Sequence, residues 1–240
     1  MASTATEVEY SPARLSFFAA VLVCGYLTVR VIIPPNQTPP ERAWRTDSLW
    51  FARSSLFLIL AASAAALLVL YHAALTLFPS SSICPAPEHL SPYLFTWGPV
   101  TAPSFLAILV GAPLRVGAFA GLGKSFTFGL ARPRGGLVTT GVYARAQHPS
   151  YTGMALVAAG SLAVFARVDG GPAACWVPRE GGAWEMVRGW APTVYVVVAG
   201  LVVQQIATRV RQEEAMLKEL FGKEWEEWHA RTSRFVPGLF

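Results

Sequence analysis

The chain predicts an all-α fold, a polytopic transmembrane helical bundle of about five spans with further helices at its C-terminal end on the cytosolic side. Three observations lead there. Hydrophobic residues make up 53% of the 240 positions and charged residues 14%, against about 25% charged in a soluble domain. So little charge cannot cover a globule, and lipid must solvate part of the surface. Apolar stretches recur near the length of about 20 residues that crosses a bilayer. The basic residues gather in alternate connections, so the net charge of +5 reads as positive-inside bias, not as a nucleic-acid footprint.

The first stretch, residues 15–33, ends at Pro34-Pro35. It has no clear small-residue cleavage site and reads as a span, not a signal peptide. The second, 49–78, is rich in alanine and leucine and ends at Pro79. The third begins near residue 93 and runs to about 111, with 121 as its far limit. The fourth, 151–165, is the shortest, and the fifth covers 191–206. The first connection carries Arg42, Arg45 and Arg53, the third Arg115, Lys124, Arg132, Arg134 and Arg145, and the tail six further basic residues. The second has no Lys or Arg, and the fourth mixes Arg167, Arg179 and Arg188 with Asp169, Glu180 and Glu185. Five spans put the basic connections on one side, the cytosolic one. Cys84 and Cys175 then share the lumenal side, where pairing and separate thiols are both open. With Cys24 they form no CxxC pair, so a zinc or disulfide scaffold is not expected and no metal is assigned.

Beyond the fifth span, residues 204–220 read as a helix leaving the membrane, with Met216, Leu217 and Leu220 on one face. Gly222 ends or bends it. Trp225 and Trp228, three apart, suit a helix at the headgroup level.

Two cytosolic pieces concentrate polar chemistry. LVTTGVYARAQHPSYTG, residues 137–153, places Tyr143, His148 and Tyr151 within nine positions, with Pro149 suited to a first helical turn. RVRQEEAMLKELFGKEWEEW, residues 209–228, puts Arg209 and Glu213 on one helical face. Taken separately, both have ordinary explanations: interfacial anchoring for the rings, and an i,i+4 ion pair for the charges. Against them, charge at a membrane edge is costly and suits a charged ligand. GLGKS at 121–125 lacks the first glycine of a P-loop, since position 118 is Ala118. HExxH, GxSxG and aspartate-rich clusters do not occur in the sequence.

In their order and spacing the two pieces resemble the isoprenylcysteine carboxyl methyltransferase family, over residues 114–240. The resemblance is carried by Leu114-Arg115, LGKSFTF at 122–128, LVTTGVY at 137–143, HPSYTG at 148–153, Arg209 with Glu213-Glu214, FGKEW at 221–225, and the Pro-Gly ending at 236–240. It implies a membrane enzyme of the endoplasmic reticulum, active in C-a-a-X processing. The enzyme would transfer methyl from S-adenosylmethionine to a prenylcysteine carboxylate at the cytosolic face. It implies a cofactor site at Gly135, Gly136, Leu137, Val138, Tyr143, His148, Pro149, Ser150, Tyr151 and Glu213, and a carboxylate site at Arg209, so that Arg209 and Glu213 are the expected catalytic pair. Partners would be prenylated protein C-termini or small prenylcysteine-like amphiphiles, with membrane lipid. Residues 1–112 would form an N-terminal unit of three spans and 113–240 the catalytic region. Two departures stand out: Gly135 replaces the family's usual histidine, and Gln147 a frequent arginine. The first leaves open a different amphiphile, such as a phospholipid amine, or a non-catalytic scaffold of the same fold.

Overall fold

The computed structural model describes residues 11–44, 47–78, 80–178 and 180–239; Arg45, Pro79, Arg179 and Phe240, used above, lie outside these ranges. Among the described residues the chain is all-α, with seven α-helices and no strand. Helix α1 (Pro12–Ile32) starts at Pro12, with the Ser11 hydroxyl capping the Arg14 amide. Helix α2 (Ser55–Leu77) is capped the same way by Ser54. Helix α3 (Thr101–Leu122) stops at Gly123, whose φ of 51° suits glycine. Helix α4 (Pro149–Val164) begins with Pro149 in its first turn. A five-residue α5 (Pro172–Trp176) precedes the 39-residue α6 (Ala183–Phe221), and Gly222 at φ 52° divides α6 from α7 (Lys223–Arg231).

Four helices are long and apolar enough to cross a membrane: α1, α2, α3 and α6. The expected fourth span is α4, whose 16 residues rise only about 24 Å. Its ends nevertheless lie at opposite ends of the bundle, because α3 accompanies it along its length. The approach is close because the facing residues are small. A β-carbon added at Gly153 would sit 2.6 Å from the Gly111 carbonyl oxygen and 2.8 Å from the Arg115 backbone nitrogen. Gly160 meets the Ser104 carbonyl in the same way. The expected fifth span and the amphipathic helix after it form one continuous helix, α6, about 58 Å long. Its apolar part, with Val196, Leu201 and Val203 outward, is largely exposed, as a lipid-facing segment would be.

One end of the bundle gathers the first connection, the third connection and the tail. The Trp44 amide donates to the Leu130 carbonyl and the Arg132 amide to the Arg42 carbonyl. Asn36 donates to the Gly123 and Phe126 carbonyls, and the His148 amide to the Arg234 carbonyl. The other end holds the remaining two connections, joined by a Cys84–Cys175 disulfide and by Ser91 and Arg167 on Asp169. That grouping agrees with the alternation read from charge.

Two local expectations are corrected. Trp225 and Trp228 are buried with Ala118 and Tyr143, and the Trp228 indole donates to the Tyr143 carbonyl at 3.0 Å. They are core residues because α7 folds back onto the bundle. Of the expected face, Met216 is buried and Leu217 packs on the same cluster, joined by Phe221, while Leu220 is exposed.

Replacing Gly153 with valine should destabilise the bundle by about 1–3 kcal/mol or more, since backbone lies on the far side of the contact. Thermal unfolding in detergent measures this, and a wild-type midpoint would contradict the packing described.

Candidate functional site

A cavity of about 460 Å³ lies at the basic end, within the range of small-molecule sites. It has two parts. The polar chamber is bounded by Gly136, Leu137, Val138, Tyr143, His148 and Tyr151, with Arg209, Glu213, Leu217 and Trp228 from the C-terminal helices. The apolar arm runs between Thr28, Val31 and Ile32 of α1, Leu58 and Ala61 of α2, and Met154, Val157 and Ala158 of α4. Phe126 and Phe128 lie against it from the third connection. Residues from both sides of the expected 112/113 division therefore build one cavity.

Of the residues expected at the site, Gly136, Leu137, Val138, Tyr143, His148, Ser150, Tyr151, Arg209 and Glu213 line this cavity. Pro149 is fully buried beneath it, and Gly135 is not part of the wall. A β-carbon at Gly135 would meet nothing within 4 Å, so the missing side chain leaves open space. Gln147 also lines the cavity, and its amide is engaged with the tail: the nitrogen donates to the His229 and Thr232 carbonyls and the Thr232 hydroxyl, and the oxygen pairs with the His229 ring. It ties the start of α4 to the tail.

Arg209 and Glu213 are not paired directly. The Tyr151 hydroxyl lies between them, accepting from Arg209 Nε at 3.2 Å and donating to Glu213 Oε2 at 3.1 Å. The carboxylate partner of Arg209 is Asp47, at 2.5 Å, with both side chains 3% exposed. Arg209 Nη2 also donates to the Phe128 carbonyl at 2.9 Å. Asp47 is the functional-end residue that sequence reasoning missed. Its oxygens also accept from the Leu49 and Leu130 amides and from Arg53. Burial alone would raise its carboxyl pKa. The Arg209 charge, the two amides and Arg53 outweigh burial and hold it below its ordinary value. Its trace in the sequence is slight: it is one of two acidic residues, with Glu41, in a connection that also carries Arg42, Arg45 and Arg53.

Three further groups complete the chamber. His148 Nε2 faces Glu214 Oε1 at 3.3 Å, and Arg234 holds the same carboxylate. His148 Nδ1 is buried with no hydrogen-bond partner. Burial, reinforced by the Glu213 charge, raises the Tyr143 phenol above its ordinary range; it stays protonated and donates to the Ala118 carbonyl. Arg115 projects from α3 to the junction of chamber and arm, where its Nη1 donates to the Ser150 carbonyl and hydroxyl.

Residues 104–169, which carry most of α3, the third connection and α4, match the isoprenylcysteine carboxyl methyltransferase family. Over that segment the chain is similar to this family. No curated protein and no solved structure matches the chain significantly. The matched segment includes Arg115 and the stretch from Gly135 to Tyr151; Asp47, Arg209 and Glu213 lie outside it. The family is one of methyltransferases that depend on S-adenosylmethionine.

Asp47→Asn would leave the buried Arg209 without its carboxylate, at a cost of about 3–5 kcal/mol. The sign of the pH effect follows. A depressed folded pKa stabilises above the unfolded value of about 3.9 and loses that contribution as pH falls through the folded pKa. Acid unfolding of the wild type below about pH 4, with a flatter profile for Asp47→Asn, is the expected pair of melting curves.

Proposed function

We propose that this protein transfers a methyl group from S-adenosylmethionine to the C-terminal carboxylate of a prenylated cysteine, forming a methyl ester. The observation that carries the reading is the two-part cavity. A charged, hydrogen-bonding chamber suits the cofactor and the carboxylate, and the apolar arm among α1, α2 and α4 suits the prenyl chain. Sheltering that chain from water is worth about 0.8 kcal/mol per methylene.

The residues present fit the cofactor. His148 Nδ1 is a buried polar atom awaiting a partner. With its Nε2 proton directed at Glu214, Nδ1 accepts from an ammonium or hydroxyl group. Gly136, Leu137 and Val138 offer a backbone edge, Tyr143 and Trp228 ring surface, and Glu213 a negative charge facing the cation. Ser150, Tyr151 and the buried Pro149 shape the floor, and Gly135 leaves room at the rim. When bound, S-adenosylmethionine supplies an electrophilic methyl carbon on a positively charged sulfur.

The acceptor carboxylate is ionised at neutral pH, so the chain need not supply a base. Its tasks are alignment and water exclusion. Tyr151, fixed by Arg209 on one side and Glu213 on the other, positions the polar wall. Arg209, neutralised by Asp47, holds the Tyr151 hydroxyl in place. The basic end of the bundle faces the cytosol in this reading, and the Cys84–Cys175 bridge at the opposite end suits an oxidising lumen such as that of the endoplasmic reticulum.

Membranes containing the wild type should transfer label from S-adenosylmethionine to S-farnesylcysteine as a base-labile ester. Glu213→Gln should lower the rate roughly 10- to 100-fold, the worth of a charged hydrogen bond. Label in a base-stable product would redirect the reading to an amine acceptor, and absence of cofactor binding to a scaffold. A separate gain-of-function check uses the open space at Gly135. Gly135→His should tighten S-adenosylmethionine binding by roughly 2- to 10-fold, one neutral hydrogen bond's worth, in equilibrium binding to the purified protein.

A further inference from the structure

We propose that Arg115, and not Arg209, is the residue that receives the acceptor's carboxylate; this rests on the methyl-transfer reading above. The two arginines at the cavity differ in what already satisfies them. Arg209 has a buried carboxylate on Nη1, a hydroxyl on Nε and a carbonyl on Nη2. A substrate carboxylate would have to displace Asp47, which four other donors hold in place. Arg115 is equally buried but forms no ion pair among the described residues. Its Nε donates to the Val31 carbonyl at 3.1 Å, and its Nη1 to the Ser150 carbonyl at 3.1 Å and hydroxyl at 2.8 Å. Its Nη2 makes no hydrogen bond among the described residues.

A buried guanidinium whose partners are all neutral is an incomplete site, since burial of a charge is tolerated when an opposite charge compensates it. The side chain cannot swing away to find one. Phe119 and Phe128 lie 5.1 and 5.0 Å from its central carbon, and the backbone contacts fix its plane. The position is also right for a carboxylate on an apolar tail. Val31, whose carbonyl holds Nε, lines the apolar arm, while Ser150 and the adjacent Tyr151 line the polar chamber. An acid group seated there would place its tail along the arm and its oxygens toward the chamber. The planar fork of arginine suits such an acceptor.

The test compares S-farnesylcysteine with S-farnesylcysteine amide, which has the same tail and no negative charge, in the full-length protein reconstituted in nanodiscs. In the wild type the acid should bind at least about tenfold more tightly than the amide, read as KM for the acid and competitive inhibition by the amide. Arg115→Met should raise KM for the acid by about tenfold or more, erase that preference, and leave amide inhibition and S-adenosylmethionine binding unchanged. Arg115→Gln, which keeps hydrogen-bond donors toward Ser150, serves if the methionine variant fails to fold, and should lose the preference likewise. A wild type that binds acid and amide equally overturns the proposal without any variant, as does either variant that keeps the preference. Absence of ester formation from every prenylcysteine by the wild type would instead overturn the methyl-transfer reading, and this inference with it.

Discussion

The structure at the basic end depends on one buried ion pair, Arg209 with Asp47, which joins residues 162 positions apart. Helix α6 makes little contact with the other helices along its apolar part, and most of that part is exposed. At its far end the helix is held by Trp184, stacked on His89, and by the Tyr195 hydroxyl on Ala166 and Val168; between there and Arg209 lipid is as good a neighbour as leucine. The site-forming end is set where the helix becomes polar. Asp47 is held by the Leu130 and Leu49 amides, so it belongs to both the first and third connections. Arg209 inserts into that fixed point and brings Glu213 against Tyr151. A buried pair of this kind adds little to stability compared with an apolar replacement; what it adds is a defined position for the polar end of the helix.

The second constraint is the close approach of α3 and α4. Gly111, Gly153 and Gly160 let the two backbones touch, and that contact decides what lies at the cavity junction. It brings Ser150, in the first turn of α4, within hydrogen-bond reach of Arg115 on α3. Tyr151 then faces α6, not α3. Larger residues at these glycines would separate Arg115 from Ser150 and pull Tyr151 from its place between Arg209 and Glu213. Packing in the bilayer core and geometry at the site are thus a single problem.

How far all this was legible in the sequence depended on whether the signal was local. Helices α1, α2 and α3 and the apolar part of α6 are continuous apolar runs, and a run needs no partner to be recognised. The grouping of connections at two ends also followed, because charge alternates with them. Helix α4 was harder to read: its 16 residues fall short of a usual span, and its place along α3 is a tertiary fact. Trp225 and Trp228 were read as interfacial anchors because a helix carrying them is amphipathic whether its apolar face meets lipid or protein. Cys84 and Cys175 could be placed on one side but not paired, since topology fixes sides and not distances. Asp47 left almost no trace, because its partner is 162 residues away. The rings and charges from Tyr143 to Tyr151 and from Arg209 to Glu213 were legible as two pieces, and most of them line one cavity. Their wiring was not: an i,i+4 spacing suggests that Arg209 meets Glu213, whereas Tyr151 intervenes.

That wiring bears on the chemistry. A carboxylate is a weak nucleophile when strongly hydrated or tightly paired, so a site for it must remove water without binding too well in the ground state. Arg209 with Asp47 is a neutralised pair and contributes a dipole more than a charge. Arg115 keeps a full charge, but the carbonyls of Val31 and Ser150 and the faces of Phe119 and Phe128 already soften it. An acid group meeting such a cation is oriented by it and only partly quenched. Glu213, across the chamber and linked through Tyr151, sets a negative charge on the side where a sulfonium would sit. In the proposed reaction, charge separation of this sense, cation at the acceptor and anion at the donor, would align an oxygen with a methyl carbon and need no proton to move.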